Sequence, residues 1–218
     1  MNQNKTAAVI PFFNESSTIK EIVESTLKYV DLVIAVDDGS TDNSASKITQ
    51  IENVSLISIE KNKGKGFALK NGFQKAIELG VQIVITIDAD LQHPSEFIPF
   101  LIRELDNFDI VIGNRMNDIS TMPIQRIMSN KITSFILSKK TKQVIPDSQC
   151  GFRAFKINVL KNVATVLNGY EAESEILIFA GRKGFNIGSF PIPTIYTDSK
   201  SKMNPIKTIL GFLRVIFI

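Results

Sequence analysis

Residues 84–97 read VITIDADLQHPSEF, an apolar and β-branched run that leads directly into two carboxylates separated by one residue. Such a run predicts a buried strand that ends near Asp88. Because residues i and i+2 of an extended chain share a face, Asp88 and Asp90 are expected on one side of the strand's end. Two negative charges held so close repel each other unless a positive charge joins them. The stretch therefore predicts a charged site at the end of a buried strand.

On both sides of this stretch, short apolar strands alternate with amphipathic helices. We predict strands at residues 6–12, 31–38, 54–60, 81–88 and 108–115, and helices at 17–29, 66–79 and 123–139. Thr18 and Glu21 fit a capping box, and Gly80 fits a helix end. A strand at 150–155, two more helices and a strand within 185–196 follow. Continuously apolar strands in this order predict an α/β fold with a mostly parallel, Rossmann-like sheet between helices.

Composition and charge limit the classes of function. The chain has 218 residues, 44% of them hydrophobic, which fits one large globular domain, and we assign residues 1–200 to it. A net charge of +3 without a basic and aromatic stripe argues against a nucleic-acid partner. Cys150 is the only cysteine, and the first residues lack a signal-peptide layout, so a cytoplasmic location is expected.

Residues 201–218 are predicted to form a C-terminal amphipathic helix. Its apolar positions fall at helical spacing: Ile206, Ile209, Leu210, Leu213 and Phe217. The helix is too short to span a bilayer, which needs roughly 20 apolar residues. Two interpretations stay open, namely a helix that covers the core and a helix that lies on a membrane with the help of nearby cations, Lys200, Lys202, Lys207 and Arg214.

Polar clusters follow the predicted ends of five strands. They are Asn14 with Glu15, Asp37 with Asp38, residues 62–66, residues 88–92, and Asn114 with Arg115. Ligands of open α/β sheets bind beyond the carboxyl ends of the strands, so these clusters are expected to form one cleft. Any one cluster alone is explained equally well by loop polarity.

Two of these clusters keep two interpretations each. In VDDGSTDNS, residues 36–44, Asp37 either belongs to a turn before a helix capped by Asp42 or Ser44, or it binds a nucleotide's base or ribose. In NKGKGFALKNG, residues 62–72, the glycines form either a tight turn with solvated lysines or an anion site at a helix start. The second stretch is not a Walker motif.

Asp88, Asp90 and Gln92 form an all-oxygen ligand set suited to Mg²⁺ or Mn²⁺. Such an ion keeps positions for water and phosphate, which indicates a phosphorylated ligand, plausibly a diphosphate. His93 precedes Pro94 and is interpreted as a local structural residue. A receiver domain and a haloacid-dehalogenase-like phosphatase also carry acidic pairs at strand ends, but the position of this pair in the chain fits neither.

Seven motifs carry a resemblance to a known family. They are VIPFFNE, VDDGSTDNS, NKGKGFALKNGF, DADLQHP, IGNR, DSQCGFRAF and ESEILIFAGRKGFNIGSFPIPTIY. In this order they resemble family 2 glycosyltransferases of the GT-A fold, and most of all dolichol-phosphate mannosyltransferases and related polyprenyl-phosphate glycosyltransferases. The resemblance covers about residues 7–200.

The resemblance implies an inverting, metal-dependent transfer of a hexose, mannose or glucose, from GDP-mannose or UDP-glucose to a polyprenyl or dolichyl phosphate. The matching nucleotide-sugar positions are Pro11, Phe13, Glu15, Asp37, Asp88, Ala89, Asp90 and Gln92, with Phe13 where the family often has Tyr. The matching catalytic positions are Asp90, Arg115 and Arg126, and Arg126 with Ser129 match the acceptor-phosphate site. Arg153 is interpreted as a surface or ion-pair residue.

A lipid acceptor would give the C-terminal helix a peripheral membrane contact on the cytoplasmic face, with residues 138–142, SKKTK, as a basic rim. Two other functions stay open. One is a transferase of the same family that acts on a cell-surface glycan or another non-lipid acceptor. The other is a non-catalytic protein that binds sugar nucleotides.

Overall fold

Seven strands form one sheet in the computed structural model, which describes residues 5–120, 122–193, 195 and 214. The strands are β1 Thr6–Phe12, β2 Leu32–Asp37, β3 Val54–Ser58, β4 Ile83–Thr86, β5 Ile110–Asn114, β6 Arg153–Lys156 and β7 Ile187–Pro191. Their order across the sheet is β3-β2-β1-β4-β6-β5-β7.

Six α-helices connect and cover the strands. They are α1 Ile19–Thr26, α2 Lys65–Glu78, α3 Ile98–Glu104, α4 Ile124–Thr141, α5 Ile157–Asn162 and α6 Ala172–Arg182. Short 3₁₀ turns occur at Ala45–Lys47 and Ser95–Phe97. All five predicted strands of the first half are present, and so are the helices predicted at 17–29, 66–79 and 123–139, with bounds that differ by a few residues.

The sheet is parallel at every pair except the two that involve β6. β1 lies between β2 and β4, and β2 pairs with β3, all in parallel. The middle strands are buried on both faces, because helices pack on each side and their residues are apolar throughout. The prediction of a mostly parallel sheet between helices is confirmed.

β6 is the departure from the predicted pattern. It runs antiparallel between β4 and β5, so these two consecutive parallel strands are not neighbours. The last strand, β7, returns in parallel to the outer edge of β5. β6 and β7, which are far apart in sequence, thus complete the part of the sheet beyond β4.

Two predicted helix starts are wrong. Thr18 precedes α1 but makes no side-chain cap to it, and its Oγ1 instead donates to the carbonyl oxygen of Glu15, so the predicted capping box is absent. After β2 only the 3₁₀ turn follows, and Asp42 does not cap an α-helix. Its carboxylate accepts hydrogen bonds from the amides of Ser16 at 3.0 Å and Ser44 at 3.1 Å, so it ties two loops together.

The predicted C-terminal helix, residues 201–218, lies outside the described residues except for Arg214, and Lys200 lies outside them as well. In the part of the chain that the structure does describe, no helix is both long and apolar enough to cross a membrane.

Candidate active site

The turns that follow β1, β2 and β3 are joined by hydrogen bonds at the carboxyl edge of the sheet. Ser40 Oγ accepts the amide of Asn14 at 2.9 Å, which brings together the first two turns. The carboxylate of Asp38 accepts the amides of Lys63 at 2.9 Å and Gly64 at 2.7 Å, which adds the third. Asp38 is thus committed to holding the glycine-rich turn, and the three strand ends lie together as the sequence predicted.

The residues expected to bind the nucleotide line this edge at β1 and β2. Pro11 is buried within β1, whereas the ring of Phe13, just past the strand, is exposed to solvent. Glu15 follows in the same turn and is half-buried. Asp37 is buried at the end of β2, and its Oδ1 accepts the amide of Ser40 at 2.8 Å. A flat apolar ring and two carboxylates therefore face the same edge.

Lys65 supplies the positive charge that the Asp88–Asp90 pair requires. Its Nζ lies 2.6 Å from Asp88 Oδ1 and 3.0 Å from Glu173 Oε2, and its side chain is only 13% exposed. Lys65 is therefore not one of the solvated lysines that a bare turn would carry. Burial opposes the charged forms, but the ion pair outweighs it: the pKa of Lys65 is raised and the pKa of Asp88 is lowered.

Asp90 is in the opposite electrostatic situation. Burial, and then the negative charge of Asp88, raise its pKa to about 6. Its Oδ1 accepts the amide of Gln92 at 3.1 Å, across a turn in which Leu91 has a left-handed φ of 60°. Ala89 between the two carboxylates is buried. The loop thus presents two carboxylates, Asp88 with a lowered pKa and Asp90 with a raised one.

The side chains of this loop suit a hard divalent cation, which prefers oxygen ligands. Within the described residues no group of three or more His, Cys, Asp or Glu side chains is arranged to hold a metal ion, so a soft or histidine-rich site is not formed there. Asp88 and Asp90 offer carboxylate oxygens and Gln92 offers an amide oxygen, which suits Mg²⁺ or Mn²⁺. Burial and the neighbouring charge of Asp88 raise the pKa of Asp90, so a cation bound between the two would favour the ionised form of both.

Arg115, at the end of β5, is held by a residue that the sequence reasoning did not select. Its Nε and Nη2 donate to the two carboxylate oxygens of Asp147 at 2.8 and 2.9 Å, and its amide donates to the same group at 3.0 Å. Asp147 is fully buried, and Asn130 adds a bond at 2.6 Å. Burial is outweighed by these bonds, so the pKa of Asp147 is lowered. Only the position of Asp147 in the motif DSQCGFRAF signalled it.

Arg126 and Ser129 lie on α4, on the helix that also carries Asn130. Arg126 is half-buried and Ser129 is exposed, and Ser129 Oγ accepts a hydrogen bond from Gln149 at 2.8 Å. Since Asn130 bonds Asp147, the inner face of α4 is tied to the group that positions Arg115. The helix that carries the expected acceptor residues is therefore joined to Arg115 through Asn130 and the buried carboxylate of Asp147.

Arg153 is neither a surface residue nor, among the described residues, half of an ion pair, and that interpretation is wrong. It is 1% exposed and donates to three carbonyl oxygens, those of Cys150 at 2.7 Å, Glu173 at 2.7 Å and Ser148 at 2.9 Å. The buried guanidinium is satisfied by backbone alone. It joins the loop before β6 to the start of α6.

His93 is buried and stacks on Phe152, with ring centroids 5.6 Å apart. Burial lowers its pKa to about 4, so the ring is neutral at physiological pH. This environment supports a structural role for His93.

Two further residues of the site were not selected from the sequence. Glu173, in the first turn of α6, is the second partner of Lys65, and Tyr170 places its ring 5.8 Å from the same ammonium. An acidic residue in the first turn of a helix is commonly explained by the helix dipole, so nothing in the local sequence singles out Glu173.

Comparison with known proteins identifies the family of the chain. The profile of the family described as Glycosyl transferase family 2 matches residues 7–164. The UDP-N-acetylglucosamine–dolichyl-phosphate N-acetylglucosaminyltransferase of Methanococcus voltae is 36% identical over 87% of this chain and 85% of its own length. The undecaprenyl-phosphate 4-deoxy-4-formamido-L-arabinose transferase of Proteus mirabilis (strain HI4320) is 30% identical over 90% of this chain and 63% of its own.

Among solved structures, glucosyl-3-phosphoglycerate synthase from Mycobacterium tuberculosis in complex with phosphoglyceric acid superposes with a TM-score of 0.78 at 19% identity, over 99% of this chain and 81% of that one. A second structure of that enzyme, with Mn²⁺, UDP-glucose and phosphoglyceric acid, gives a TM-score of 0.76 at 20% identity, over 98% and 77%. Both likenesses concern the fold, which is GT-A. The matched family profile and the identity to these relatives show that the chain is a glycosyltransferase and belongs to family 2.

Proposed function

We propose that this protein transfers a hexose from a nucleotide-diphosphate sugar to a polyprenyl phosphate, with inversion at the anomeric carbon. The observation that carries the proposal is the Asp88–Asp90 pair after β4, in which burial and the charge of Asp88 raise the pKa of Asp90 to about 6. Two relatives support the acceptor, since one is named for dolichyl phosphate and the other for undecaprenyl phosphate.

The donor would lie across the carboxyl ends of β1, β2 and β4. Phe13 would offer a flat ring for the base, and Pro11, Glu15 and Asp37, at the same ends of β1 and β2, would complete the nucleotide site. Asp88, Asp90 and Gln92 would hold Mg²⁺ or Mn²⁺, which when bound neutralises the charge that gathers on a departing diphosphate. The M. tuberculosis neighbour that was solved with Mn²⁺ and UDP-glucose supports a divalent ion at such a site.

The acceptor requires cations rather than a base. The second pKa of a phosphate monoester lies near 6, so the attacking oxygen is already deprotonated at neutral pH. Arg126 and Ser129 would bind this phosphate from α4, while Asp147 holds Arg115 rigidly enough to bring a positive charge near the donor. Attack by the lipid phosphate opposite the leaving diphosphate gives inversion.

The outer face of α4 suits a lipid acceptor. Four large apolar side chains on it are each more than half exposed: Ile124, Met128, Ile132 and Phe135. Exposed lysines flank them, Lys131 beside the stripe and Lys139 at the helix end. An apolar stripe with flanking cations fits the surface of an anionic bilayer, so we infer peripheral contact on the cytoplasmic face.

The test measures transfer of radiolabelled sugar into an organic-extractable lipid. Donors are GDP-mannose, UDP-glucose and UDP-N-acetylglucosamine, each with added polyprenyl phosphate, with Mn²⁺ or with a chelator. Asp90→Ala is the site variant and Asp106→Ala, at an exposed position, is the matched control. We expect metal-dependent label in the lipid phase from one donor, lost only in Asp90→Ala.

A different outcome would redirect the proposal. Metal-dependent nucleotide binding without lipid label from any donor would favour a glycan or another non-lipid acceptor. Binding without any metal-dependent transfer or donor hydrolysis would favour a non-catalytic sugar-nucleotide-binding protein.

A further inference from the structure

The ammonium of Lys65 lies between two carboxylates that belong to different parts of the fold. Asp88 comes from the loop after β4 and Glu173 from the first turn of α6, at 2.6 and 3.0 Å from Nζ. Lys65 itself begins α2, after the glycine-rich turn that Asp38 fixes through the amide of Gly64. Three elements thus hold one cation next to the loop proposed to bind a metal ion.

The surrounding backbone restricts where this ammonium can move. A Cβ atom on Gly151 would lie 2.6 Å from Asp88 Oδ2 and 2.8 Å from Lys65 Nζ, so the backbone of that loop covers the ion pair directly. The ring of Tyr170 lies 5.8 Å from Nζ. Under this cover, the ammonium is in ion-pair contact with two carboxylates, those of Asp88 and Glu173.

Glu173 has unused capacity for the ammonium. The residue is 8% exposed, its Oε2 accepts from Lys65, and its Oε1 has no hydrogen-bond partner in the described part of the chain. A buried carboxylate oxygen without a donor is costly, and an ammonium has three protons to give. Movement of Lys65 toward Glu173 would satisfy this oxygen.

Lys65 is shared by more carboxylates than it can neutralise. Its ammonium contacts both Asp88 and Glu173, and the charge of Asp88 in turn acts on Asp90. Arg115 also acts on Asp88, but its own side chain is bonded to Asp147. Charges at such short separations and low exposure interact strongly, so Lys65 and a divalent ion compete for Asp88.

We propose that Lys65 is an internal counter-ion that holds Asp88 while no metal ion is bound, and that Glu173 retains the ammonium when Asp88 becomes a metal ligand. Lys65 and Glu173 are then positioning residues that set the affinity of the site for metal. The inference rests on the proposed metal site at Asp88, Asp90 and Gln92. Under this proposal, the charge of Lys65 acts in the binding and release of the metal ion and does not bind phosphate.

The experiment measures Mn²⁺ binding at pH 8 without nucleotide, by electron paramagnetic resonance of free Mn²⁺ and by calorimetry. Lys65→Met removes the competing charge, and we expect Mn²⁺ to bind roughly tenfold more tightly. Glu173→Gln leaves Lys65 with Asp88 alone, and we expect roughly tenfold weaker binding. Lys65→Arg keeps the charge and should bind Mn²⁺ much as the wild type does. Lys63→Met, a lysine of the same turn that lies over the ring of Phe67, is the matched control.

The outcomes separate this inference from the metal site. If the wild type binds no Mn²⁺, the metal-site proposal fails and this inference fails with it. If the wild type binds Mn²⁺ but Lys65→Met binds it equally or more weakly, only the inference is overturned, and a nucleotide affinity that falls in that variant would assign Lys65 to phosphate. Should Lys65→Met not fold by circular dichroism, Lys65→Gln replaces it, with the same expectation.

Discussion

Replacing Asp147 with asparagine tests how Arg115 is held. The carboxylate is fully buried and accepts four hydrogen bonds, three from Arg115 and one from Asn130. Asp147→Asn keeps the shape but leaves the guanidinium, whose side chain is 13% exposed, without this anion. Loss of one partner of a buried ion pair costs about 3–5 kcal/mol, and the partial exposure of Arg115 places the expected loss near the lower value. For a chain of this size, about 3 kcal/mol lowers Tm by roughly 6–12 °C.

Thermal unfolding followed by circular dichroism at pH 7 measures this loss. Asp31→Asn is the matched control, because Asp31 accepts bonds from Thr6 at an exposed position, and we expect it to cost at most about 1 kcal/mol. The lowered pKa of Asp147 fixes the pH dependence. Its stabilisation is present above the unfolded pKa of about 4 and is lost as pH falls through the folded pKa, so the deficit of Asp147→Asn should shrink below pH 4. A Tm within 2 °C of wild type at pH 7 would refute the reasoning.

Three further perturbations address the site and its surroundings. Burial and the charge of Asp88 raise the pKa of Asp90 to about 6, so ionisation of Asp90 opposes folding as pH rises through 6. In urea unfolding at pH 8 with a chelator present, Asp90→Asn should therefore be more stable than the wild type by roughly 1–2 kcal/mol. A loss of stability in this variant would contradict the argument. Gly66→Ala places a Cβ 2.5 Å from that of Ala172, so the free energy of unfolding measured in urea should fall by roughly 1–3 kcal/mol, and an unchanged value would show that α2 can shift freely. Burial raises the pKa of Cys150 to about 12, so a thiol reagent should label no cysteine in the native protein and one in guanidinium, whereas rapid native labelling would count against the packing.

Local pattern was sufficient to predict most of the fold. The strands of the first half are short runs of apolar residues with turn residues at both ends, and each was found where periodicity indicated. The antiparallel placement of β6 was not predictable in this way. Its residues, Arg153–Lys156, look like any short strand, and its neighbours on either side are decided by long-range pairing with β4 and β5. The missing cap at Thr18 has a local cause, because its hydroxyl donates to the carbonyl oxygen of Glu15 instead of capping α1.

For the site, sequence reasoning found the groups whose chemistry is visible in one short motif. Asp88, Asp90 and Gln92 fall within five residues, and these three residue types alone predict a metal site with oxygen ligands. Their partners come from other elements and are invisible at that range: Lys65 from α2 and Glu173 from α6. The prediction for Arg153 was wrong for a related reason. A guanidinium that donates only to carbonyl oxygens, as Arg153 does, has no acidic neighbour in sequence to reveal it.

The placement of β6 also bears on how the chain reaches its folded state. As the protein leaves the ribosome, β1 to β4 can pair among themselves, but β5 emerges with neither of its neighbours made, because both β6 and β7 are encoded later. Until β6, Arg153–Lys156, is synthesised, the apolar strand β5 and the unpaired edge of β4 are both exposed. An exposed strand edge can pair with another chain. Non-local closure of this kind is slow. A nascent chain stalled between β5 and β6 is therefore the species most exposed to aggregation and most in need of a chaperone.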